Sequence, residues 1–347
     1  MSSGSPLFDV LLVTEPRFDP ILDRDTFPNR LCMSRINWSW AESITLAVKT
    51  WRRVLVTRPS ALLFVSVTSV NRGFDLVSTF TWAKRLGFLK NMPIIFWSHK
   101  TFSTVPTHLV GRIRESEGRY MERIIIYYRS LERLHPRIKD KFEFVPLPAH
   151  QISCMPPRKD PGDYIFAGGS AFRDFDTMFK AIRGLNLPVK IRVLGSVAKV
   201  IQDFELPDNC SLEIGDRLSD HPALYLKRIA ESRFVVVPLF STDEPKGLTT
   251  ITEALYLGKP VITTDAVGLD DYIQHGVNSL RVKAGDVSGF QAAIQSLWYD
   301  RTLLETLSAG AKRSGMLLSR EHFKRRIIEI CEEVLVKTKS ESTGDLI

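Results

Sequence analysis

The stretch EPKGLTTITEALYLGKPVITTD, residues 244–265, has the composition of an anion-binding segment. Gly247 frees the backbone before ITEALYL, a run of good helix formers that ends at Gly258. KPVITT then has the β-branched composition of a buried strand. The start of such a helix offers unpaired N–H groups and a positive dipole end, so it suits a phosphate. An ordinary α/β unit with threonine caps explains the same pattern equally well.

A second stretch with suitable chemistry is FAGGSAFRDFD, residues 166–176. A strand is predicted to end at Gly168–Gly169, where the bare backbone lets a ligand approach closely. Arg173 follows just before a predicted helix, and its guanidinium can form paired hydrogen bonds with a diphosphate. A surface salt bridge is the alternative interpretation of Arg173.

Strand candidates alternate with amphipathic helices in both halves of the chain, and the stretch 146–163, rich in proline and polar residues, is a predicted linker. Most strands are continuous apolar runs, as expected when helices cover both faces of a sheet. This alternation predicts two doubly wound α/β domains. Predicted strands are 8–14, 53–57, 61–67, 93–98, 123–128, 142–146, 163–169, 189–195, 211–215, 233–239 and 259–264; predicted helices are 39–50, 75–90, 106–120, 176–185 and the helical region 288–337.

Composition favours a globular, intracellular protein: the 347 residues are 44% hydrophobic and 25% charged. The longest apolar runs have strand length, and the first residues carry no basic segment, so we expect neither a membrane span nor a secretory leader. The four cysteines are scattered and predict reduced thiols in the cytoplasm. Residues 1–150 hold 22 basic and 13 acidic residues, net +9, and the remainder has net −1, so the first half should face an anionic partner.

Five stretches resemble, in order, the donor-binding half of the GT-B glycosyltransferases of family 4, the glycosyl transferases group 1. The resemblance implies two Rossmann-like domains that face each other across a cleft. The corresponding limits are an acceptor domain over 1–150, a donor domain over 151–320, and a C-terminal helix from 321 that returns to the first domain before the tail ends at 347. The stretches are FAGGSAFRDFDTMFKAI, IRVLGS, EIGDRLSDHPALY, EPKGLTTITEALYLGKPVI and AVGLDDYIQHGVNSLRVKAGD.

The resemblance also implies a donor site. The helix start after Gly247 would hold the diphosphate, and Glu253 would accept hydrogen bonds from the ribose. Arg173 would contact the phosphates, although the family's loop carries two basic residues and this one carries a single one. The residues implied for nucleotide-sugar binding are Gly169, Arg173, Gly195, Asp216, Arg217, Lys246, Gly247, Leu248, Thr249, Thr250 and Glu253.

The candidate catalytic residues are His99, Arg173 and Glu244. His99 ends a buried strand, where family members place a histidine that faces the donor sugar. Glu244 matches an acidic residue near that sugar, but eight residues separate it from Glu253 where the family has seven. Family-4 enzymes are retaining and assign no obvious base, so catalysis would depend on electrostatic stabilisation of the leaving diphosphate. In an inverting enzyme, His99 or Glu15 could be the general base.

Two Asp-x-Asp pairs, Asp23 with Asp25 and Asp174 with Asp176, match the metal-binding motif of the other glycosyltransferase fold. Asp176 lies where a helix is predicted to begin, and an aspartate there caps N–H groups. GT-B enzymes offset the diphosphate charge with helix ends and cations. We therefore expect no metal site and no cofactor besides the donor, a UDP- or GDP-sugar.

Clusters of cations with aromatic residues, such as WAKRLGFLK around Trp82, suit peripheral contact with an anionic membrane, although a solvated helix face is the alternative. No nucleic-acid-binding motif is present, so we expect no nucleic-acid partner. The resemblance implies a cytoplasmic, metal-independent hexosyltransferase that acts on a polysaccharide or lipid-linked acceptor. The alternatives are a GT-B nucleotide-sugar epimerase and a non-catalytic GT-B protein that binds a nucleotide sugar.

Overall fold

The computed structural model describes residues 10–14, 22–32, 40–65, 76–97, 115–149, 157, 160–169, 172–194, 201, 205–215, 222–242 and 245–344. The chain divides into two compact units. The first consists of Met1–Val145 with Phe323–Ile347, and the second is Pro146–His322.

The first unit contains six parallel strands: β1 (Val10–Thr14), β2 (Arg30–Cys32), β3 (Ala61–Val65), β4 (Ile94–Trp97), β5 (Arg123–Ile126) and β6 (Phe142–Phe144). They form one sheet in the order β2-β1-β3-β4-β5-β6. Every residue of β1, β3 and β4 is buried, which agrees with the continuous apolar runs in the sequence.

The second unit contains six further parallel strands: β7 (Ile165–Gly169), β8 (Val189–Leu194), β9 (Cys210–Gly215), β10 (Phe234–Val237), β11 (Val261–Thr264) and β12 (Ser279–Val282). Their order is β12-β11-β10-β7-β8-β9. The chain thus builds one half of the sheet outward from β7 and then returns to build the other half from β10. This is the doubly wound arrangement, and it has its topological switch point between β7 and β10.

Nine α-helices accompany the strands in the described part of the chain. Asp286 and Asp300 cap the helices that follow them, since their side chains accept from the backbone N–H groups of Gly289 and Leu303. The helices are α1 (Trp40–Thr57), α2 (Leu76–Arg85), α3 (Ser130–Leu134), α4 (Phe175–Ile182), α5 (Pro222–Glu231), α6 (Leu248–Tyr256), α7 (Val287–Tyr299), α8 (Arg301–Leu317) and α9 (Arg320–Gly344).

Helix α9 packs on the sheet of the first unit. The ring of Phe323 lies 4.7 Å from that of Trp97 in β4, centroid to centroid, and Lys324 forms a 2.7 Å ion pair with Asp23. Within the described residues, no helix is both long and apolar enough to span a bilayer.

The alternation of strands and helices is confirmed, with one error of type: residues 53–57 form the end of α1 and are not a strand. Ala47, Thr50 and Val54 are buried with helical spacing, whereas Leu55 and Val56 are exposed. The packing of this one face outweighs the β-branched composition of RVLVT. The short edge strands β2 and β12 are absent from the prediction because their sequences, RLC and SLRV, carry no apolar run.

Candidate active site at the switch point of the second sheet

The site lies at the carboxyl ends of β7 and β10, where two loops from opposite halves of the sheet meet. Arg173 and Leu239 form an isolated antiparallel bridge between these loops. The N–H of Phe240 also donates to the carbonyl of Phe172 at 3.3 Å. Open α/β sheets bind ligands in the crevice at such a point.

Arg173 lies across the glycine turn that ends β7. Its Nε donates to the carbonyl oxygen of Gly168 at 2.9 Å. A Cβ added to Gly169 would stand 2.3 Å from Nη2 of Arg173, so only glycine leaves room for the guanidinium there. Gly169 has φ +128°, which also favours glycine. The glycine turn therefore serves to seat Arg173 as well as to open the backbone.

Helix α6 begins beside the same guanidinium. Its N-cap, Gly247, has φ 75° and supplies no side-chain cap. The first intrahelical bond runs from the N–H of Ile251 to the carbonyl of Gly247, so the N–H groups of Leu248, Thr249 and Thr250 precede it. A Cβ on Gly247 would be 3.4 Å from Nη1 of Arg173. A cationic side chain and the positive helix end thus converge on one place, which suits an anion.

Thr250 connects Arg173 to a tyrosine of the neighbouring helix α5. Nη2 of Arg173 donates to the hydroxyl of Thr250 at 3.3 Å, and the hydroxyl of Tyr225 lies 2.8 Å from the same oxygen. Tyr225 is buried, and burial is the main cause that raises its pKa, followed by the charge of Glu253. Burial also lowers the pKa of Arg173, which still carries its charge because a guanidinium titrates far above neutral pH.

Glu253 lies fully buried on the second turn of α6. Neither of its carboxylate oxygens has a hydrogen-bond partner among the residues that the structure describes. Burial raises the pKa of this carboxyl to about 8, because the charged form is poorly solvated there. A buried carboxylate without donors is costly, so burial favours the neutral, protonated form of this side chain.

Lys246 and Phe172 flank the helix start. Nζ of Lys246 stands 4.6 Å from the centroid of the Phe172 ring, a cation–π contact. Phe172 is a non-glycine residue with φ 56°, a left-handed conformation that costs energy and is often found at functional sites. Thr249 is exposed at the first turn of α6.

Some of the predicted site residues lie together in the structure, and the others are not among the residues that the structure describes. Gly169, Arg173, Gly247, Thr250 and Glu253 surround or lie behind the start of α6. Lys246, Leu248 and Thr249 belong to the same loop and helix turn. His99, Gly195, Asp216, Arg217 and Glu244 lie outside the described residues, so their roles stay predictions.

Tyr225 was missed by the sequence prediction, although it falls in the stretch EIGDRLSDHPALY. The available signal was weak: a tyrosine in the first turns of a helix that follows a strand of the switch-point sheet. Its hydroxyl contact with Thr250 depends on how α5 packs beside α6, which local sequence does not specify.

Three aspartates of the two Asp-x-Asp pairs, Asp23, Asp174 and Asp176, accept hydrogen bonds in the structure. The N-cap of α4 is Asp174, which accepts from the N–H of Thr177 at 3.1 Å and from its hydroxyl at 2.7 Å. This corrects the prediction that Asp176 is the cap: Asp176 lies within the first turn and pairs with Lys180 at 2.6 Å. Asp23 accepts from the N–H and hydroxyl of Thr26.

Part of the second unit is similar to known protein sequences. Residues 165–314 match the family model described as glycosyl transferases group 1. An uncharacterized glycosyltransferase of Methanocaldococcus jannaschii is 28% identical over 181 residues, which are 50% of this chain and 49% of that protein. The chain therefore aligns with about half the length of this curated relative.

Comparison with solved structures covers nearly the whole chain. The Anabaena protein HepE, in complex with UDP and glucose, superposes with a TM-score of 0.64 at 14% identity, over 94% of this chain and 99% of that one. Sucrose-phosphate synthase from Thermosynechococcus elongatus gives a TM-score of 0.69 at 12% identity, again over 94% and 99%. At these identities the likeness shows the fold.

The two six-stranded parallel sheets and their structural neighbours place the chain in the GT-B class. Residues 165–314, the greater part of the second unit, are similar to the glycosyl transferases group 1. The resemblance and the fold class inferred from the five sequence stretches are thereby confirmed.

Proposed function

We propose that the chain transfers a sugar from a nucleoside diphosphate sugar to a glycan or lipid-linked acceptor, without a divalent metal. The observation that supports this proposal most strongly is that one helix, α6, carries both the buried Glu253 and a start that lies beside the cationic Arg173. Glu253 lies six positions after Gly247, a rise of roughly 9 Å along α6. This length is comparable with the separation of the ribose hydroxyls and the terminal phosphate in an extended nucleoside diphosphate.

Each part of the donor has a proposed partner. The diphosphate lies at the N–H groups that open α6, with Arg173 and Lys246 supplying positive charge. The ribose hydroxyls donate to the carboxylate of Glu253, which supplies this buried group with the donors that the described residues do not provide. The proposed partners of the base are Gly195, which follows β8 in sequence, and Asp216 and Arg217, which follow β9.

The diphosphate is the leaving group, and we propose that electrostatic stabilisation of its developing charge lowers the reaction barrier most. As the bond to the sugar breaks, negative charge develops on the terminal phosphate, where Arg173 and the α6 dipole are already oriented. The departing phosphate oxygen takes the proton of the acceptor hydroxyl, and the reaction retains configuration. His99 and Glu244 contact the donor sugar and fix its orientation.

A uridine nucleotide is the first donor to test, because HepE has been solved with UDP and with UDP-glucose. This chain has the same fold, and GDP-sugars are the second candidates. We further propose that the protein acts in the cytoplasm and contacts anionic membrane peripherally, which would bring it to a lipid-linked acceptor.

The test is incubation of the purified protein with UDP-glucose and GDP-mannose, in buffer containing EDTA, followed by chromatography of the released sugar, which separates epimers, and mass spectrometry of the donor. Slow release of the nucleoside diphosphate and free sugar is expected without acceptor. Arg173→Ala should lower this rate, whereas Arg183→Ala, an exposed arginine that pairs with Glu205, should not.

Each other outcome assigns a different function. Binding without turnover would indicate the non-catalytic alternative, and conversion of the sugar to its epimer would indicate an epimerase. Turnover that appears only after magnesium is restored would contradict the metal-independent mechanism.

A further inference from the structure

The amino edge of the first sheet combines cations with exposed apolar side chains. Residues 45–65 and 76–97, which contain most of α1, all of α2, and strands β3 and β4, hold seven basic residues and no acidic one. Both helices end just before the strand that follows them, so their C-terminal ends lie at the amino edge of this parallel sheet. Trp51 of α1 stacks on Phe80 of α2 with 4.5 Å between centroids, so the two helices are neighbours.

An apolar tip, formed by Leu86 and Phe88 in the turn after α2, protrudes at this edge. The two side chains are 68% and 79% exposed. Trp82 is half-exposed one turn earlier, and the guanidinium of Arg85 lies 4.9 Å from its ring centroid. At the end of α1, Leu55 and Val56 are also exposed. Exposed apolar residues that cluster in this way, among cations, indicate a binding surface.

A polar groove of about 730 Å³ opens beside the tip, and we name it the amino-edge groove. It is lined by the residues that precede β4, β5 and β6 and by the last turns of α9. Its five basic side chains exceed its three acidic ones, a net of +2. Within this set Lys84 pairs with Glu122, and Arg123 pairs at 3.3 Å with Glu143, which is not part of the lining. Lys90 and Lys337 are both exposed, and Lys337 forms an exposed 3.8 Å ion pair with Glu341 of the same helix, a weak contact that an anionic headgroup can replace.

We propose that this edge docks on an anionic phospholipid bilayer, with the apolar tip inserted among the acyl chains and a lipid headgroup phosphate in the amino-edge groove. The proposal gives the membrane contact a defined surface, and it is independent of the sugar transfer proposed above. Lysine side chains at an interface bind anionic headgroups, and aromatic residues such as Trp82 favour the headgroup depth.

Charge and shape together favour a bilayer over a soluble polyanion. A nucleic acid or free phosphate would need only the cations and would leave Leu86 and Phe88 in water. A bilayer covers both kinds of group at once, because its surface is anionic and its interior apolar. The absence of acidic residues from residues 45–65 and 76–97 reduces the repulsion from an anionic surface, although three acidic side chains line the amino-edge groove.

The test is co-sedimentation of the full chain with vesicles of phosphatidylcholine alone and of an equimolar mixture with phosphatidylglycerol. We expect binding to the mixed vesicles only. The double variant Leu86→Ser, Phe88→Ser should lose it, with an unchanged thermal unfolding midpoint because both side chains are exposed. Lys90→Glu with Lys337→Glu should weaken binding at least about 25-fold, since each cation near an anionic surface contributes about fivefold.

Matched controls come from exposed residues of the second unit. Tyr299→Ser with Met316→Ser removes two exposed apolar side chains, and Lys180→Glu with Arg301→Glu reverses two exposed charges. Neither pair should change vesicle binding. A blue shift of fluorescence on mixed vesicles that disappears in Trp82→Phe would locate the contact at α2.

Three results would overturn the proposal. They are equal binding to both kinds of vesicle, binding that the tip and groove variants leave unchanged, and no binding at all. If inorganic phosphate raises the thermal unfolding midpoint and the protein binds no vesicles, the groove binds a soluble anion and the proposal is wrong. Donor turnover is measured without vesicles, so a failure here leaves the proposed sugar transfer untouched.

Discussion

Nη2 of Arg173 donates a 3.3 Å hydrogen bond to the hydroxyl of Thr250, and this contact joins the two halves of the second sheet at its switch point. Arg173 follows β7, and Thr250 lies in the first turn of the helix that follows β10. The cation of one half is therefore held at the helix start of the other half. This arrangement is the structural basis of the proposed diphosphate site.

Arg173→Ala should weaken nucleoside diphosphate binding about 10- to 100-fold, because a hydrogen bond to a charged group contributes roughly 1.5–3 kcal/mol. Uridine, which lacks phosphates, should bind the variant and the parent equally. Isothermal titration calorimetry with UDP and uridine measures both. An equal loss for the two ligands would indicate a general disturbance of the site and not a phosphate contact.

Glu253 should make the stability of the unliganded protein fall as pH rises. The folded protein keeps the proton up to a pKa of about 8, whereas the unfolded chain releases it near the ordinary 4.5. Between these values the folded state binds more protons, so the free energy of unfolding decreases with pH, by on the order of 5 kcal/mol at most.

Glu253→Gln should remove this slope, since the amide does not titrate. Urea unfolding of the parent and the variant across this pH range measures it. The variant should be the more stable of the two at the alkaline end. Parallel pH profiles for both proteins would show that the carboxyl is not held protonated by burial.

The same carboxyl should couple nucleotide binding to proton release. Ribose hydroxyls that donate to Glu253 favour its ionised form, so the affinity for UDP should rise with pH up to about 8. Calorimetry in two buffers of different ionisation enthalpy measures the protons released. Glu253→Gln should bind more weakly and release none. Proton release that persists in the variant would assign the proton to another group.

Gly247→Ala should reduce both stability and nucleotide affinity. Alanine in the left-handed conformation costs roughly 1–2 kcal/mol, and its Cβ would also meet Val237 at 2.9 Å. Gly184→Ala is the matched control, with φ +77° and nothing within 4 Å of its Cβ. The control should show only the loss of stability in thermal unfolding. Normal UDP binding by Gly247→Ala would argue against phosphate binding at the start of α6.

Tyr225→Phe should lower stability by about 1 kcal/mol, the usual net value of one hydrogen bond. It should weaken UDP binding only a few-fold, because Thr250 keeps its bond with Arg173. Chemical denaturation and calorimetry give the two values. A loss of affinity as large as that of Arg173→Ala would mean that Tyr225 contacts the ligand directly.

The fold was largely predictable because its strands are buried on both faces. Such strands appear in sequence as continuous apolar runs, as in β3 and β10, and helical periodicity separates them. Two segments were predicted wrongly or missed, because their structure depends on packing and strand pairing and not on an apolar run. RVLVT belongs to α1 because one helical face packs, and β12 forms because β11 offers an edge to pair with.

The site was predictable where it depends on local sequence. The glycine turn at Gly169, the helix start at Gly247 and Glu253 follow from motif order and spacing. The seating of Arg173 against Gly169, its bond to Thr250 and the isolation of the Glu253 carboxyl depend on the packing of three separate elements. No local pattern specifies those contacts.

The most direct test of the donor site is calorimetric titration with UDP, GDP and ADP in EDTA, for the parent protein and for Arg173→Ala, Glu253→Gln and Arg183→Ala. We predict that one nucleotide binds the parent without metal, that the first two variants weaken it at least about tenfold, and that Arg183→Ala binds as the parent does. No binding by any nucleotide, or equal binding by all four proteins, would contradict a donor site at the switch point of the second sheet.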